Sequence, residues 1–174
     1  MRLTSKLATG TLAVALATVA VGTLSGTAAQ AQESSPGTKA TLDGRAIDLS
    51  EGWQGADVCA VGTSGRTTCV DTDAMSARDA RAASDCKKDW VCLWDKKNFK
   101  GRMLKFNDEY WHNLADWGFS NRAESARNHQ NSWPNDHAYV ATGRDGKGTQ
   151  KKIPEGYKFG SLGNLNNRVS SIYG

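Results

Sequence analysis

Trp94-Asp95-Lys96-Lys97-Asn98-Phe99-Lys100-Gly101 returns in blurred form 45 residues later as Tyr139-Val140-Ala141-Thr142-Gly143-Arg144-Asp145-Gly146. In both copies an aromatic stands five positions ahead of a central residue and seven ahead of a glycine. A second pair of positions, Asn121 with Ser125 against Asn167 with Ser171, repeats at an offset of 46, so one inserted residue separates the two registers. Solenoids and propellers need three or more such units, and this chain has room for two. Two units predict a duplicated motif closing a single core.

The residues within each unit favour strands. Val91-Cys92-Leu93-Trp94 and Arg102-Met103-Leu104-Lys105-Phe106 are short apolar or alternating runs, and Asn- and Gly-rich turns separate them. The second unit ends on Val169-Ser170-Ser171-Ile172-Tyr173. Aromatic, four residues, aromatic, one residue, glycine, then a late serine resembles the signature of the βγ-crystallin Greek key. Trp94, Phe99, Gly101 and Ser125 supply every part in the first unit. In the second, Tyr139, Gly146 and Ser171 match, but Arg144 stands where an aromatic belongs, which predicts a less well packed hairpin with the Arg stem covering the gap.

Ahead of the first unit, Cys86 and Cys92 bracket Lys87-Lys88-Asp89-Trp90-Val91, and Asn113-Leu114-Ala115-Asp116-Trp117-Gly118-Phe119 follows the hairpin. This arrangement is similar to the secreted actinobacterial peptidase inhibitor family of the Streptomyces metalloproteinase inhibitor type, family thirty-six of the inhibitor series. The resemblance implies a small disulfide-bonded βγ-crystallin fold that blocks thermolysin-like zinc proteases, so a secreted metalloprotease is the expected partner. The βγ-crystallin signature covers about half of the chain. The family prototype carries a second Cys-closed loop in its later half, whereas no cysteine follows Cys92 here. The carried-over binding residues are therefore Lys87, Lys88, Asp89, Trp90 and Val91 of the first loop. Trp90 has two readings, an interface anchor or packing beside a disulfide.

The expected fold class is all-β, a βγ-crystallin-like two-Greek-key sandwich over residues 85–174, with residues 128–136 linking the keys. A small α+β disulfide-bonded N-terminal region over residues 41–84 precedes it. Residues 32–40 are polar and turn-rich and are expected to form a flexible arm. From Thr41 to Leu49 the alternation of Ile47 and Leu49 predicts one short strand. Thr72 to Ala83 predicts a helix of about three turns with Asp71 or Thr72 as N-cap.

Arg2, Lys6, the apolar run from Leu7 to Leu24 and Ala29-Gln30-Ala31 fit a secretory signal peptide over residues 1–31. Secretion is the expected localisation, with no membrane span after processing. The formal charge is +4, but removing residues 1–31 takes away Arg2 and Lys6 and no acidic residue. A nearly neutral remainder has no electrostatic footprint for nucleic acid. The basic cluster Lys96, Lys97, Lys100, Arg102 and Lys105 reads as a solvated hairpin.

Four cysteines in an exported chain imply two disulfides; sequence permits three pairings, and local pairing of Cys59 with Cys69 and Cys86 with Cys92 is the simplest. No Cys-x-x-Cys occurs to favour zinc. Calcium is a candidate ligand, because Asn166-Asn167-Arg168-Val169-Ser170-Ser171 fits the βγ-crystallin calcium pattern. Asn166, Asn167, Arg168 and Ser170 are the candidate metal residues, offering amide, backbone carbonyl and hydroxyl oxygens. The first copy, Ser120-Asn121-Arg122-Ala123-Glu124-Ser125, departs from the pattern, so one intact motif makes half a site. The alternative is that the two asparagines form a turn and the serine ties the hairpin.

His112, His129 and His137 stand in no catalytic motif, and paired cysteines leave no thiol nucleophile, so no enzyme activity is expected. Six tryptophans, at 53, 90, 94, 111, 117 and 133, keep a polysaccharide-binding module open as an alternative. A calcium-binding structural protein or an antimicrobial toxin-like one is a further alternative.

Overall fold

The computed structural model describes residues 37–131 and 137–174. The expected signal peptide, most of the expected arm and Trp133 lie outside these residues. Twelve strands among the described residues form two sheets. The first Greek key consists of β5 (Val91–Lys96), β6 (Lys100–Phe106), β7 (Trp111–Asn113) and β8 (Ser125–Asn128); the second of β9 (His137–Ala141), β10 (Gln150–Pro154), β11 (Lys158–Phe159) and β12 (Ser171–Tyr173).

The third strand of each key crosses to the other key's sheet. One sheet runs β11-β8-β5-β6 and the other β10-β9-β12-β7, so the duplicated units exchange one strand each and enclose a common core. Leu93, Leu104, Phe106, Leu114, Phe119, Val140, Ile153 and Ile172 fill it, each fully buried. β5 is buried on both faces, which is why it reads as an unbroken apolar run. Val91 and Leu93 enter the main core, while Cys92 and Trp94 join Val58, Cys86 and Met103 in a second cluster.

The first sheet does not stop at β6. Residues 37–70 add β1 (Lys39–Leu42), β2 (Arg45–Asp48), β3 (Val58–Val61) and β4 (Thr67–Val70), and the full order becomes β11-β8-β5-β6-β3-β4-β1-β2. β3 pairs in parallel with β6, from Val58 opposite Met103 to Val61 opposite Phe106. Leu42, Ile47, Leu49 and Trp53 belong to the same buried cluster as Leu93 and Phe106. The boundary expected at residue 84 is thus no boundary of sheet or core. The edge of β6 offered unpaired backbone groups, and β3 satisfies them.

Three local expectations need correction. Residues 39–48 form the β1–β2 hairpin rather than one strand, with Lys39 and Ala40 of the expected arm inside β1. The helix, α1, spans Ala77–Ala83 with Ser76 as N-cap. It starts late because the Asp57 carboxylate accepts both the Thr72 N–H (3.0 Å) and the Thr72 hydroxyl (2.7 Å), tying that segment into a turn. Arg144 is exposed, and Trp111, from the first key, lies over the second hairpin at Gly146.

The serine ties form as the motif requires. Ser125 Oγ accepts from the Phe99 N–H (3.1 Å) and donates to the Lys96 carbonyl (2.7 Å). Ser171 Oγ accepts from the Gly146 N–H (3.0 Å) and donates to the Gly143 carbonyl (2.6 Å).

Candidate functional site

Both disulfides are local, Cys59 with Cys69 and Cys86 with Cys92. The second closes a loop at the start of β5, and hydrogen bonds hold that loop against the segment after β8. The Asp89 N–H donates to the His129 carbonyl (2.8 Å), the His129 N–H to the Trp90 carbonyl (2.9 Å), and His129 Nδ1 lies 2.8 Å from the Cys86 carbonyl. Asp89 takes a left-handed φ of 71°, which these bonds fix in place. Lys87, Lys88 and Asp89 are exposed at the tip.

Trp90 and Val91 are placed differently from the other three loop residues. Val91 is fully buried and starts β5. Trp90 is half-buried against the Cys86, Cys92 and Trp94 cluster, and Lys105 Nζ sits 5.4 Å over its ring. Lys105 also donates to the Ala83 carbonyl at the end of α1 (3.0 Å). Burial, and then the nearby Lys87 charge, lower the Lys105 pKa below its ordinary value, against a smaller raising effect of Asp85. Trp90 therefore packs the base of the loop, and Lys87, Lys88 and Asp89 are its exposed residues. His129 escaped sequence reading because it lies 43 residues from Cys86, whose carbonyl it contacts, and belongs to no motif.

The two asparagine loops face each other. Asn121 and Asn167 both have φ 56°, and the Asn121 N–H donates to the Val169 carbonyl (2.8 Å) while the Asn167 N–H donates to the Ala123 carbonyl (2.9 Å). Their side chains cross in the same way: Asn167 Nδ2 donates to Glu124 Oε1 (2.8 Å), and the Ser170 hydroxyl lies 3.4 Å from Asn121 Oδ1. Asn167 and Ser170 are thus brought to oxygens of the other key. Asn166 instead turns aside and bonds Ser161 (3.0 Å), and the Arg168 side chain is exposed. A separate oxygen cluster is made by Asp57, Asp71 and Asp73, whose carboxylates lie within 4.8 Å of one another.

His112 and His129 make structural contacts. His112 stacks on Phe106 (4.4 Å between centroids) and pairs with Asp108 (2.6 Å). None of the four cysteines is free. Trp53, Trp94 and Trp117 are buried, and the Trp53 and Trp117 indoles donate to the Trp117 carbonyl and the Thr67 hydroxyl. Among the described residues, the large apolar side chains that stand exposed are tyrosines, Tyr110 and Tyr157.

No curated protein matches the chain. Among solved structures, one described under the evolution of the eye lens βγ-crystallin domain fold is 22% identical, covers 51% of this chain and 87% of its own, and has a TM-score of 0.44. The N-terminal domain of Protein S is 21% identical over 48% of this chain and 92% of that one, at a TM-score of 0.40. A βγ-crystallin from Ciona intestinalis is 18% identical over 48% and 96%, at 0.39. The matched family model is one of peptidase inhibitors and not of enzymes. Residues 79–139, which hold the stapled loop, the first folded hairpin and its serine tie, match the model of peptidase inhibitor family I36.

Proposed function

We propose that this protein is a secreted inhibitor of thermolysin-like metallopeptidases that docks through the Cys86–Cys92 loop. The observation that carries the reading is the double restraint on that loop. A disulfide closes it and three His129 contacts hold it, with Lys87, Lys88 and Asp89 left exposed. A loop fixed before binding loses little conformational entropy on docking, so more of its contact energy appears as affinity. Two disulfides suit an oxidising, extracellular setting.

The test is titration of the purified protein against a thermolysin-like zinc peptidase and, separately, a subtilisin, with cleavage of a fluorogenic peptide as readout. Stoichiometric block of the zinc peptidase, weakened by Lys87→Glu, is the expected result. Absence of block at micromolar protein rejects the reading.

Calcium is a second reading, favoured by the crossed asparagine loops. Asn121, Glu124, Asn167 and Ser170 bring amide, carboxylate and hydroxyl oxygens together, a donor set that suits a hard cation, and Glu124 supplies a charge that the motif's usual hydroxyl lacks. A bound ion would brace the two keys against each other at this crossing. A rise in Tm with millimolar calcium that Glu124→Gln abolishes supports it; an unchanged Tm removes calcium from the account.

A further inference from the structure

Three elements leave one end of the first sheet together. Phe106, the last residue of β6, stands between Val61 of β3 and Val91 of β5 in the register. Beyond Val61 lies the turn Gly62 to Arg66, beyond Phe106 the crossover of residues 107–110, and before Val91 the Cys86–Cys92 loop. β3 and β5 are two strand spacings apart, so the two loops are separated laterally by about 10 Å.

Each element is built to present a fixed contact. The β3–β4 turn is closed by the Gly62 N–H to the Arg66 carbonyl (3.0 Å) and the Gly65 N–H to the Gly62 carbonyl (2.8 Å). Cys59 and Cys69, directly opposite each other in the register, staple the hairpin behind it. Thr63 to Arg66 are exposed. At the end of the crossover that leaves Phe106, Tyr110 stands 69% exposed, while its own carbonyl accepts from the Gly174 N–H and the Asp108 carbonyl accepts from the Gln130 side chain (2.9 Å). An aromatic with a well-anchored backbone, flanked by charged tips, has the make-up of an interface centre and its polar rim.

Resting on the inhibitor reading, we propose that the peptidase is gripped along this whole edge, with Arg66 of the β3–β4 turn and Tyr110 contributing alongside Lys87 and Lys88. The strands of residues 37–70 then do more than close a sheet edge. They deliver a second disulfide-braced loop to the side of the first, in a chain with no cysteine after Cys92. The occupant is the active-site cleft and rim of the same peptidase, since two tips about 10 Å apart, with an exposed aromatic on the crossover that leaves the strand between them, reach a concave surface together.

The experiment measures the inhibition constant toward the thermolysin-like peptidase for the wild-type protein, Arg66→Glu, Tyr110→Ala, Lys87→Glu and a control at the opposite end of the sheet, Lys97→Glu. All four side chains are exposed, so unchanged melting curves confirm intact folding. The expected result is a rise of about tenfold or more for both Arg66→Glu and Tyr110→Ala, with Lys97→Glu within about twofold. If Arg66→Glu and Tyr110→Ala stay within about twofold while Lys87→Glu weakens inhibition, the extended edge is wrong and single-loop docking stands. If the wild-type protein does not inhibit, both ideas fall together.

Discussion

The two folded hairpins solve one packing problem with different residues. In the first, Trp94 and Phe99 of the same hairpin meet edge to face at 5.3 Å beside Gly101. In the second, exposed Arg144 takes the place of Phe99, and Trp111 from the other key lies over Gly146, where an added Cβ would meet its ring at 2.5 Å. The serine tie moves too. Ser125 holds the N–H of Phe99, whereas Ser171 holds that of Gly146, two residues further along its hairpin. What the fold demands is a filled volume and a tied backbone; which residue fills it is negotiable.

Substitution at the two glycines gives the sharpest break in this comparison. Both have left-handed φ, 76° at Gly101 and 74° at Gly146. Gly146→Ala drives a Cβ into a tryptophan ring wedged between keys, and we expect a loss of about 3 kcal/mol in urea unfolding. Gly101→Ala meets the Asp95 carboxylate and the Lys96 stem, which can swing aside, and about 1.5 kcal/mol is expected. Equal losses would mean that Trp111 is not held in place.

The staple belongs to the first key alone. Replacing Cys86 and Cys92 together with Ser is expected to cost about 2.5 kcal/mol in the chain-entropy account, and to weaken inhibition because His129 alone then holds the loop. Ser125→Ala and Ser171→Ala each remove a buried tie that both accepts and donates, and each should cost about 2 kcal/mol. A marked inequality between them would show that one hairpin carries more strain than its partner.

The smallest expected effect lies in the added strands. Hydrogen bonds from Lys39 and then Ser50 hold the Asp48 carboxyl at about 2, below its ordinary 3.8. A depressed carboxyl stabilises the fold fully above pH 3.8 and loses that contribution as the pH falls toward 2. Urea midpoints of Asp48→Asn at pH 6 and pH 2.5 should therefore differ less than those of the wild type.

The duplicated hairpins were legible because their requirements are local. A positive-φ glycine, an aromatic a few residues away and a serine tie leave a fixed spacing, and both disulfides close loops within a few residues. Residues 37–70 were not legible as part of the same sheet. Parallel pairing of β3 with β6 leaves no turn signal, and alternation in β1 and β2 would look the same on a separate domain. The candidate loop was found by its cysteines, while His129, which holds it, was invisible for want of any spacing that joins it to residues 86–92. Trp90 had two readings, anchor or packing, and its type alone could not tell that the ring is half-buried against the second cluster.

The parallel pair of β3 and β6 also sets an order of assembly. β3 is synthesised some 45 residues before its partner, and closing so long a loop yields nothing until β5 and β6 have formed their own short hairpin. The β3–β4 hairpin can be oxidised early, yet it must wait with one edge open for the Greek key to arrive. Docking of residues 37–70 is then expected to be the last stage of folding, the stage that brings Arg66 to the same sheet end as Lys87.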